Sequence, residues 1–199
     1  MKTIGMLGGM SWESTVSYYQ AINRDIKSQL GGLHSARICL RSVDFDELEK
    51  LQHQGKWEAI AAILASEAYQ VECGGADFLI LCTNTMHKVA AQIEAAISIP
   101  LLHIADATAK KLMLDDFETV GLIGSKFTMS EDFYRSRLKN KFGINVIVPA
   151  EAQQDLLHRV IYNELCLGTI DDSSREQFLE IITQLREQGA EAVILGCTE

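Results

Sequence analysis

The sequence GADFLILCTN occupies residues 75–84, and a near copy of it, GAEAVILGCTE, occupies residues 189–199. Each copy begins with Gly-Ala and an acidic residue, continues as a short apolar run and ends on Cys-Thr, at Cys82 and at Cys197. A short apolar run is typical of a strand that is buried on both faces, as in a parallel sheet. A cysteine at the end of such a strand is often only a small buried apolar residue, so the rest of the chain decides its meaning.

A second pair of segments repeats at nearly the same spacing. TIGMLGGM at residues 3–10 resembles TVGLIGSK at residues 119–126. The two segments start 116 residues apart, and the two cysteines are 115 residues apart. Strand–turn patterns look alike in any α/β protein, which explains the glycine turns but not the recurrence of Cys-Thr at the same strand end. The repeat therefore predicts a duplicated α/β unit.

Strand and helix patterns alternate along the whole chain. Strands are predicted at residues 3–8, 36–43, 77–81, 100–104, 119–124, 144–149 and 191–196. Helices are predicted after Ser11, which is a good cap, and at residues 56–75, 86–97, 106–117, 129–143, 151–167 and 172–189. Strands that are separated by helices need crossover connections, so the strands are expected to be parallel.

The expected fold class is therefore α/β, with two pseudo-symmetric parallel-sheet domains at residues 1–104 and 105–199. Ligands of open parallel sheets bind at the carboxyl ends of the strands, where both Cys-Thr pairs lie. We expect the two domains to face each other across a cleft, with the site between them.

Composition excludes several classes of function. The chain is 47% hydrophobic and 23% charged, with no apolar stretch long enough to cross a membrane and no signal peptide, so we expect a cytoplasmic protein. The formal net charge of −9 argues against nucleic acid as a partner and favours a small molecule. The five cysteines include no C-x-x-C pair, so neither a disulfide framework nor a metal site is expected.

Two thiols on opposite sides of a substrate suit inversion at a carbon that bears an acidic proton. One thiolate removes the proton from one face, and the other thiol delivers a proton to the opposite face. Cys82 precedes the helix predicted at residues 86–97, whose first N–H groups are expected to lower the pKa of its thiol. Thr83, Asn84 and Thr85 supply polar groups that are suited to holding a carboxylate at the same helix start.

Three motifs resemble those of the aspartate/glutamate racemase family, the cofactor-independent amino acid racemases. They are GMLGGMSWEST at residues 5–15, LCTNTMHK at 81–88 and ILGCTE at 194–199. The resemblance covers the whole chain and is greatest to bacterial broad-specificity amino acid racemases. It implies a homodimeric enzyme that uses Cys82 and Cys197 as its two catalytic acid/bases, with no pyridoxal phosphate and no metal.

The resemblance also implies residues that bind the α-carboxylate and the amino group of an amino acid substrate. These are Met10, Ser11, Thr83, Asn84, Thr85, Thr128 and Thr198.

The chain departs from the aspartate-specific pattern at the positions that would grip a distal carboxylate. Glu47 and Cys166 stand where the resemblance implies an arginine and a lysine, and neither neutralises a carboxylate. We therefore expect a neutral amino acid substrate or a broad specificity. Gln52 follows the second strand and is expected to meet a neutral side chain, while Arg41 is the cation that would replace the missing pair.

The end of the sequence departs from the family as well. Dedicated glutamate racemases are expected to carry histidine after the second Gly-Cys-Thr, where this chain has Glu199. The resemblance implies a further strand and one or two helices beyond this point, so the closing C-terminal segment of the family is absent from the 199 residues.

Two other classes of function stay open from the residues alone. One is a related cysteine-dependent reaction, such as cis–trans isomerisation or decarboxylation, although such decarboxylases need only one strand-end cysteine. The other is a non-catalytic protein that binds a small molecule.

Two histidines have more than one possible role. His87 either tunes Cys82 or is an ordinary first-turn histidine. His103, close to Asp106, suits a core or capping role better than a catalytic one.

Overall fold

The structure is a computed structural model that describes residues 1–198. Glu199, on which the argument against a glutamate racemase depends, lies outside the described residues. Contacts between Cα atoms divide the chain into two units, Met1–His103 and Ile104–Glu199.

The first unit contains a parallel three-stranded sheet in the order β2-β1-β3. Its strands are β1 (Thr3–Gly8), β2 (Arg37–Ser42) and β3 (Phe78–Leu81). Its helices are α1 (Trp12–Leu30), α2 (Phe45–His53), α3 (Trp57–Cys73) and α4 (Ala90–Ala96), with a 3₁₀ segment at Thr85–Val89. Leu7, Leu64, Leu79 and Ile93 are fully buried members of one apolar core in this unit.

The second unit repeats this arrangement, with a parallel three-stranded sheet in the order β5-β4-β6. Its strands are β4 (Thr119–Gly124), β5 (Asn145–Ile147) and β6 (Ala192–Gly196). Its helices are α5 (Ile104–Leu114), α6 (Lys126–Ser130), α7 (Asp132–Phe142), α8 (Glu151–Asn163) and α9 (Asp172–Glu187), with a 3₁₀ segment at Leu165–Leu167. None of the helices in residues 1–198 is long and apolar enough to cross a membrane.

In both sheets the first strand of the unit is central, the second lies on one side and the third lies on the other. The α/β class and the parallel strands that the sequence predicts are confirmed. The segments that resemble each other in sequence also occupy matching places, because TIGMLG forms β1 and TVGLIG forms β4.

Several predicted boundaries are wrong, each for a local reason. The helix predicted at residues 86–97 is a 3₁₀ segment followed by α4, because the His87 N–H donates to the Asn84 carbonyl three residues back. The strand predicted at 100–104 is reduced to a bridge between Leu79 and Leu101, since α5 already begins at Ile104.

The second unit departs from prediction in a similar way. The helix predicted at 129–143 is divided into α6 and α7, because Glu131 has extended backbone. The helix predicted at 151–167 leaves the α conformation at Glu164. In the first unit α2 was not predicted at all, although Asp44 caps it by accepting a hydrogen bond from the Asp46 N–H at 3.2 Å.

Glycines in the two central strands are packed to different degrees. A Cβ added to Gly5 would lie 2.5 Å from Val71 Cγ1 and 2.8 Å from the Phe78 carbonyl oxygen. A Cβ added to Gly121 in β4 would meet the flexible end of Leu185 at 3.0 Å. At Gly5 a backbone carbonyl leaves no room for a Cβ, whereas at Gly121 the Leu185 side chain is able to move aside.

We therefore expect Gly5→Ala to destabilise the protein by about 1–3 kcal/mol through overpacking, and Gly121→Ala to cost less than about 1 kcal/mol. Urea denaturation followed by circular dichroism measures both changes, and each variant serves as the matched control of the other. Equal losses of stability in the two variants would contradict the difference in packing.

Candidate active site

The segments after β1 and β3 leave the first sheet at the same edge. Leu7 pairs with Leu81 in the ladder, and the Cys82 N–H donates to the Leu7 carbonyl at 2.9 Å. The glycine turn after β1 and the Cys-Thr-Asn-Thr segment after β3 are therefore neighbours. The structure thus brings Met10 and Ser11 to the edge that carries Cys82.

The glycine turn is shaped by the first turn of α1. Ser11 caps this helix, and its side chain accepts from the Ser14 N–H at 3.4 Å. The Gly9 N–H donates to Thr15 Oγ1 at 2.8 Å, and Gly9 has a φ of +89° that favours glycine. A Cβ on Gly8 would lie 2.4 Å from Thr15 Cγ2, so the close approach of helix and strand requires glycine there.

Cys82 is fully buried, Thr83 and Asn84 are also buried, and Thr85 is half-buried. Burial raises the pKa of the Cys82 thiol to about 12. The expectation that a helix start lowers this pKa is therefore wrong for this structure. The segment that follows Cys82 is a 3₁₀ segment of 5 residues, and the removal of water from the thiol dominates.

Two side chains of the same 3₁₀ segment contact aromatic rings. The His87 ring lies 4.4 Å from the His103 ring between centroids, at an interplanar angle of 55°. Lys88 Nζ lies 4.1 Å from the centroid of the Trp57 ring, which is a cation–π distance. The sequence suggested no contact between His87 and His103.

Asp106, near His103 in sequence, instead binds Arg137 and Lys141. These two cations hold the pKa of its carboxyl far below the ordinary value.

The second unit presents a matching edge at the ends of β4 and β6. Ser125 caps α6, and its hydroxyl accepts from the Thr128 N–H at 3.3 Å. Thr128 is fully buried. Gly124 pairs with Gly196, and a Cβ on Gly124 would lie 2.8 Å from the Gly196 carbonyl oxygen. Cys197 and Thr198 follow directly, so the structure brings them to the edge where Thr128 lies.

Cys197 is half-buried, unlike Cys82, and lines a cavity of about 280 Å³ within the second unit. The wall of this cavity is largely apolar, and a few charged side chains also line it. Its lining includes Ile123, Val160, Phe178, Leu195, Glu164 and Arg175.

The remaining predicted residues lie elsewhere in the two units. Gln52 is buried on α2, one turn after the buried Leu48, whereas Glu47 on the same helix is exposed. Cys166 is half-buried in the 3₁₀ segment that follows α8. Arg41 donates to Glu67 at 2.6 Å, so this cation already has a carboxylate partner.

The cysteines of residues 1–198 form no disulfide with one another. In the same described stretch, no group of three His, Cys, Asp or Glu side chains is arranged to hold a metal ion.

Comparison with known sequences finds one family over nearly the whole chain. The sequence profile of the Asp/Glu/Hydantoin racemase family matches residues 7–199. The chain is also similar to the broad specificity amino-acid racemase RacX of Bacillus subtilis, at 28% identity over 98% of this chain and 85% of RacX.

Comparison with solved structures gives the same result. A candidate Asp/Glu racemase from Yersinia pestis shares 50% sequence identity and superposes with a TM-score of 0.93, over 100% of this chain and 86% of that one. An aspartate racemase homologue from Pyrococcus horikoshii shares 33% identity with a TM-score of 0.82, again over 100% of this chain and 86% of the other.

The high pKa of Cys82 predicts that its thiolate forms at a higher pH in the folded protein than in the unfolded one. An ordinary thiol ionises near a pH of about 8.5. Between that pH and about 12, unfolding therefore releases a proton from Cys82 that the folded protein retains. The contribution of Cys82 to stability is complete below the unfolded pKa and is lost as the pH rises towards about 12.

The measurement is a pH titration of the ultraviolet thiolate absorbance of the wild type and of Cys82→Ser. We expect the difference between the two folded proteins to stay constant through the ordinary thiol range, at a pH of about 8.5. The same difference measured in denaturant, where Cys82 is exposed to water, is the control and should show a full ionisation. An ionisation of the folded protein near the ordinary value would contradict the burial effect.

Proposed function

This chain belongs to the Asp/Glu/hydantoin racemase family, and from that premise we propose that Cys82 and Cys197 invert the α-carbon of an amino acid by two-base proton transfer. Its relatives are amino acid racemases, which are isomerases. The observation that carries the proposal is the position of the two Cys-Thr pairs. Each pair follows the strand that lies beside the central strand of its unit, at the carboxyl end.

The proposal requires the two units, divided as domains 1–104 and 105–199, to hold a substrate between their strand edges. One thiolate then takes the α-proton from one face while the other thiol gives its proton to the opposite face. Because burial keeps Cys82 protonated at neutral pH, we assign Cys82 as the proton donor and Cys197 as the base in the first turnover. The turnover leaves Cys82 as thiolate and Cys197 as thiol, which is the starting state for the reverse reaction.

The two thiols supply both proton transfers, so the proposed reaction needs no pyridoxal phosphate and no metal. Polar groups beside them are assigned to the α-carboxylate and the amino group, which they would hold by hydrogen bonds. These groups come from Met10, Ser11, Thr83, Asn84, Thr85, Thr128 and Thr198.

We propose a neutral or broad range of amino acid side chains. Glu47 is exposed and Cys166 is half-buried, and neither supplies the cation that a second carboxylate would need. Arg41, the remaining candidate, is bound to Glu67 at 2.6 Å. Gln52 is a buried neutral amide on α2, which suits a neutral partner better than a charged one. The name of the Bacillus subtilis relative, a broad specificity amino-acid racemase, agrees with this assignment.

The proposal includes a homodimer and a cytoplasmic location. The first follows from the resemblance to the family, and the second from the cysteines, since thiols stay reduced in the cytoplasm.

Replacing either Cys82 or Cys197 with serine should nearly abolish racemisation, because a serine hydroxyl is far less acidic than a thiol. Each variant should retain at most slow α-proton exchange of one enantiomer, since one face still has its thiol. Pure L- and pure D-substrates in deuterated water, with no added cofactor, allow exchange and inversion to be followed separately. Cys73→Ser, at an exposed cysteine, is the matched control and should keep the wild-type rate.

Wild-type inversion without deuterium uptake would contradict the thiol mechanism. Full inversion by a folded Cys197→Ser variant would show that Cys82 has another partner. Binding of amino acids without any exchange would favour a non-catalytic binding protein, and release of carbon dioxide would favour a decarboxylase.

The side-chain preference gives a separate test. We expect the kcat/KM of the best neutral amino acid to equal or exceed that of aspartate. The double variant Glu47→Arg with Cys166→Lys should raise the kcat/KM for aspartate relative to that neutral substrate by about tenfold or more, since charge-assisted hydrogen bonds to a carboxylate are strong. Cys73→Lys adds the same lysine charge on α3 and is the control. A strong wild-type selectivity for aspartate would contradict the proposal.

A further inference from the structure

Two buried histidines beside the Cys82 segment have no part in the proposed proton transfer. His87 is 2% exposed and His103 is 5% exposed, and their rings are in contact with centroids 4.4 Å apart. Histidine is not usually found fully buried, so a pair of buried rings in contact calls for a physical explanation.

Strand β3, which ends directly before Cys82, is connected to the segments that carry both rings. His87 belongs to the 3₁₀ segment that begins at Thr85, close behind the end of β3. His103 follows a short stretch that pairs with β3, in which the Leu102 N–H donates to the Leu79 carbonyl at 2.8 Å. The Leu79 N–H in turn donates to the Pro100 carbonyl at 2.9 Å. A shift of β3 would therefore move Cys82 and both histidines together.

The Asn84 carbonyl is the group through which His87 acts on the segment after Cys82. This oxygen accepts from the His87 backbone N–H at 3.1 Å and lies 3.3 Å from Nδ1 of the His87 ring. Because a carbonyl oxygen only accepts, the second contact requires a proton on Nδ1. One side chain thus holds the peptide that joins Asn84 to Thr85, in the middle of the polar segment.

We propose that His87 is a positioning residue whose ring, held in place by His103, fixes the Asn84 carbonyl and so the orientation of Cys82–Thr85. The inference rests on the proposed function, in which Cys82 moves a proton and Asn84 and Thr85 hold the α-carboxylate. Misplacement of such groups by about 1 Å can cost about 100-fold in rate. His87 itself touches neither the substrate nor the reacting atoms in this proposal.

Replacement of His87 by two different residues isolates the hydrogen bond. His87→Leu keeps a side chain of moderate size but removes the donor. His87→Asn places an amide N–H close to the former Nδ1 and so keeps a donor for the Asn84 carbonyl. His103→Leu removes the ring that holds His87 in place. His34→Leu, at an exposed histidine of the same unit, is the matched control.

We expect His87→Leu to lower kcat/KM by about 100-fold, with a raised KM as well as a reduced kcat, because both carboxylate binding and thiol placement suffer. His103→Leu should show the same pattern to a smaller extent. His87→Asn should recover most of the loss at a similar melting temperature, and His34→Leu should behave as the wild type. An unchanged kcat/KM in His87→Leu, or an equal loss in His87→Asn and His87→Leu, would overturn the proposal.

A second measurement does not depend on racemase activity. Native alkylation with iodoacetamide, resolved by mass spectrometry, compares buried Cys82 with exposed Cys73 in each variant. Labelling of Cys82 relative to Cys73 should rise at least tenfold in His87→Leu and stay low in His87→Asn, if a loosened segment exposes the thiol. A wild type that racemises no amino acid would refute the proposed function, and the alkylation ratios would then decide on the positioning role. Equal ratios in all variants would refute that role.

Discussion

The hydrogen bond from the Cys82 N–H to the Leu7 carbonyl is the constraint on which the candidate site depends. At 2.9 Å it extends the pairing of β1 with β3 by one residue beyond the end of β3. This bond fixes the position of Cys82 along the strand direction, relative to the central strand β1 and to the glycine turn that follows β1. Ser11 and the first turn of α1 are fixed to the end of the same strand through the close approach of Gly8 to Thr15. A single register therefore sets the relative positions of the cysteine and the polar groups that surround it.

The two units repeat their topology but not their surroundings. Cys82 is sealed from water, whereas Cys197 is half-buried and opens onto a largely apolar cavity. Strand order alone explains why each thiol appears at a carboxyl edge. The difference in burial between them does not follow from strand order, and in the first unit Cys82 is followed by the 3₁₀ segment that contains His87. A repeated fold can in this way place two identical groups in matching positions and still give them unequal exposure to water.

The parts of the structure that depend on local sequence patterns are predictable, and the parts that depend on the packing of side chains in the folded units are not. Apolar runs, glycine turns and the recurrence of Cys-Thr predicted the strands, their direction and the edge that carries Cys82. The helix predicted from residue 86 failed because apolar periodicity does not distinguish an α-helix from a 3₁₀ segment. Asp44 is an ordinary capping signal and would have revealed α2. The contact between His87 and His103 and the raised pKa of Cys82 had no signal in the sequence, because both arise from side chains that meet only in the folded unit.

The contact between Lys88 and Trp57 has a spectroscopic consequence. The chain has 2 tryptophans, Trp12 and Trp57, and both belong to the first unit. Trp12 is the first residue of α1, directly after the glycine turn, and Trp57 lies 4.1 Å beneath the ammonium group on the segment that follows Cys82. Indole emission from this protein therefore originates in the first unit alone. Its intensity and wavelength are an intrinsic optical signal of the surroundings of Trp12 and Trp57 in that unit, obtained without any attached dye.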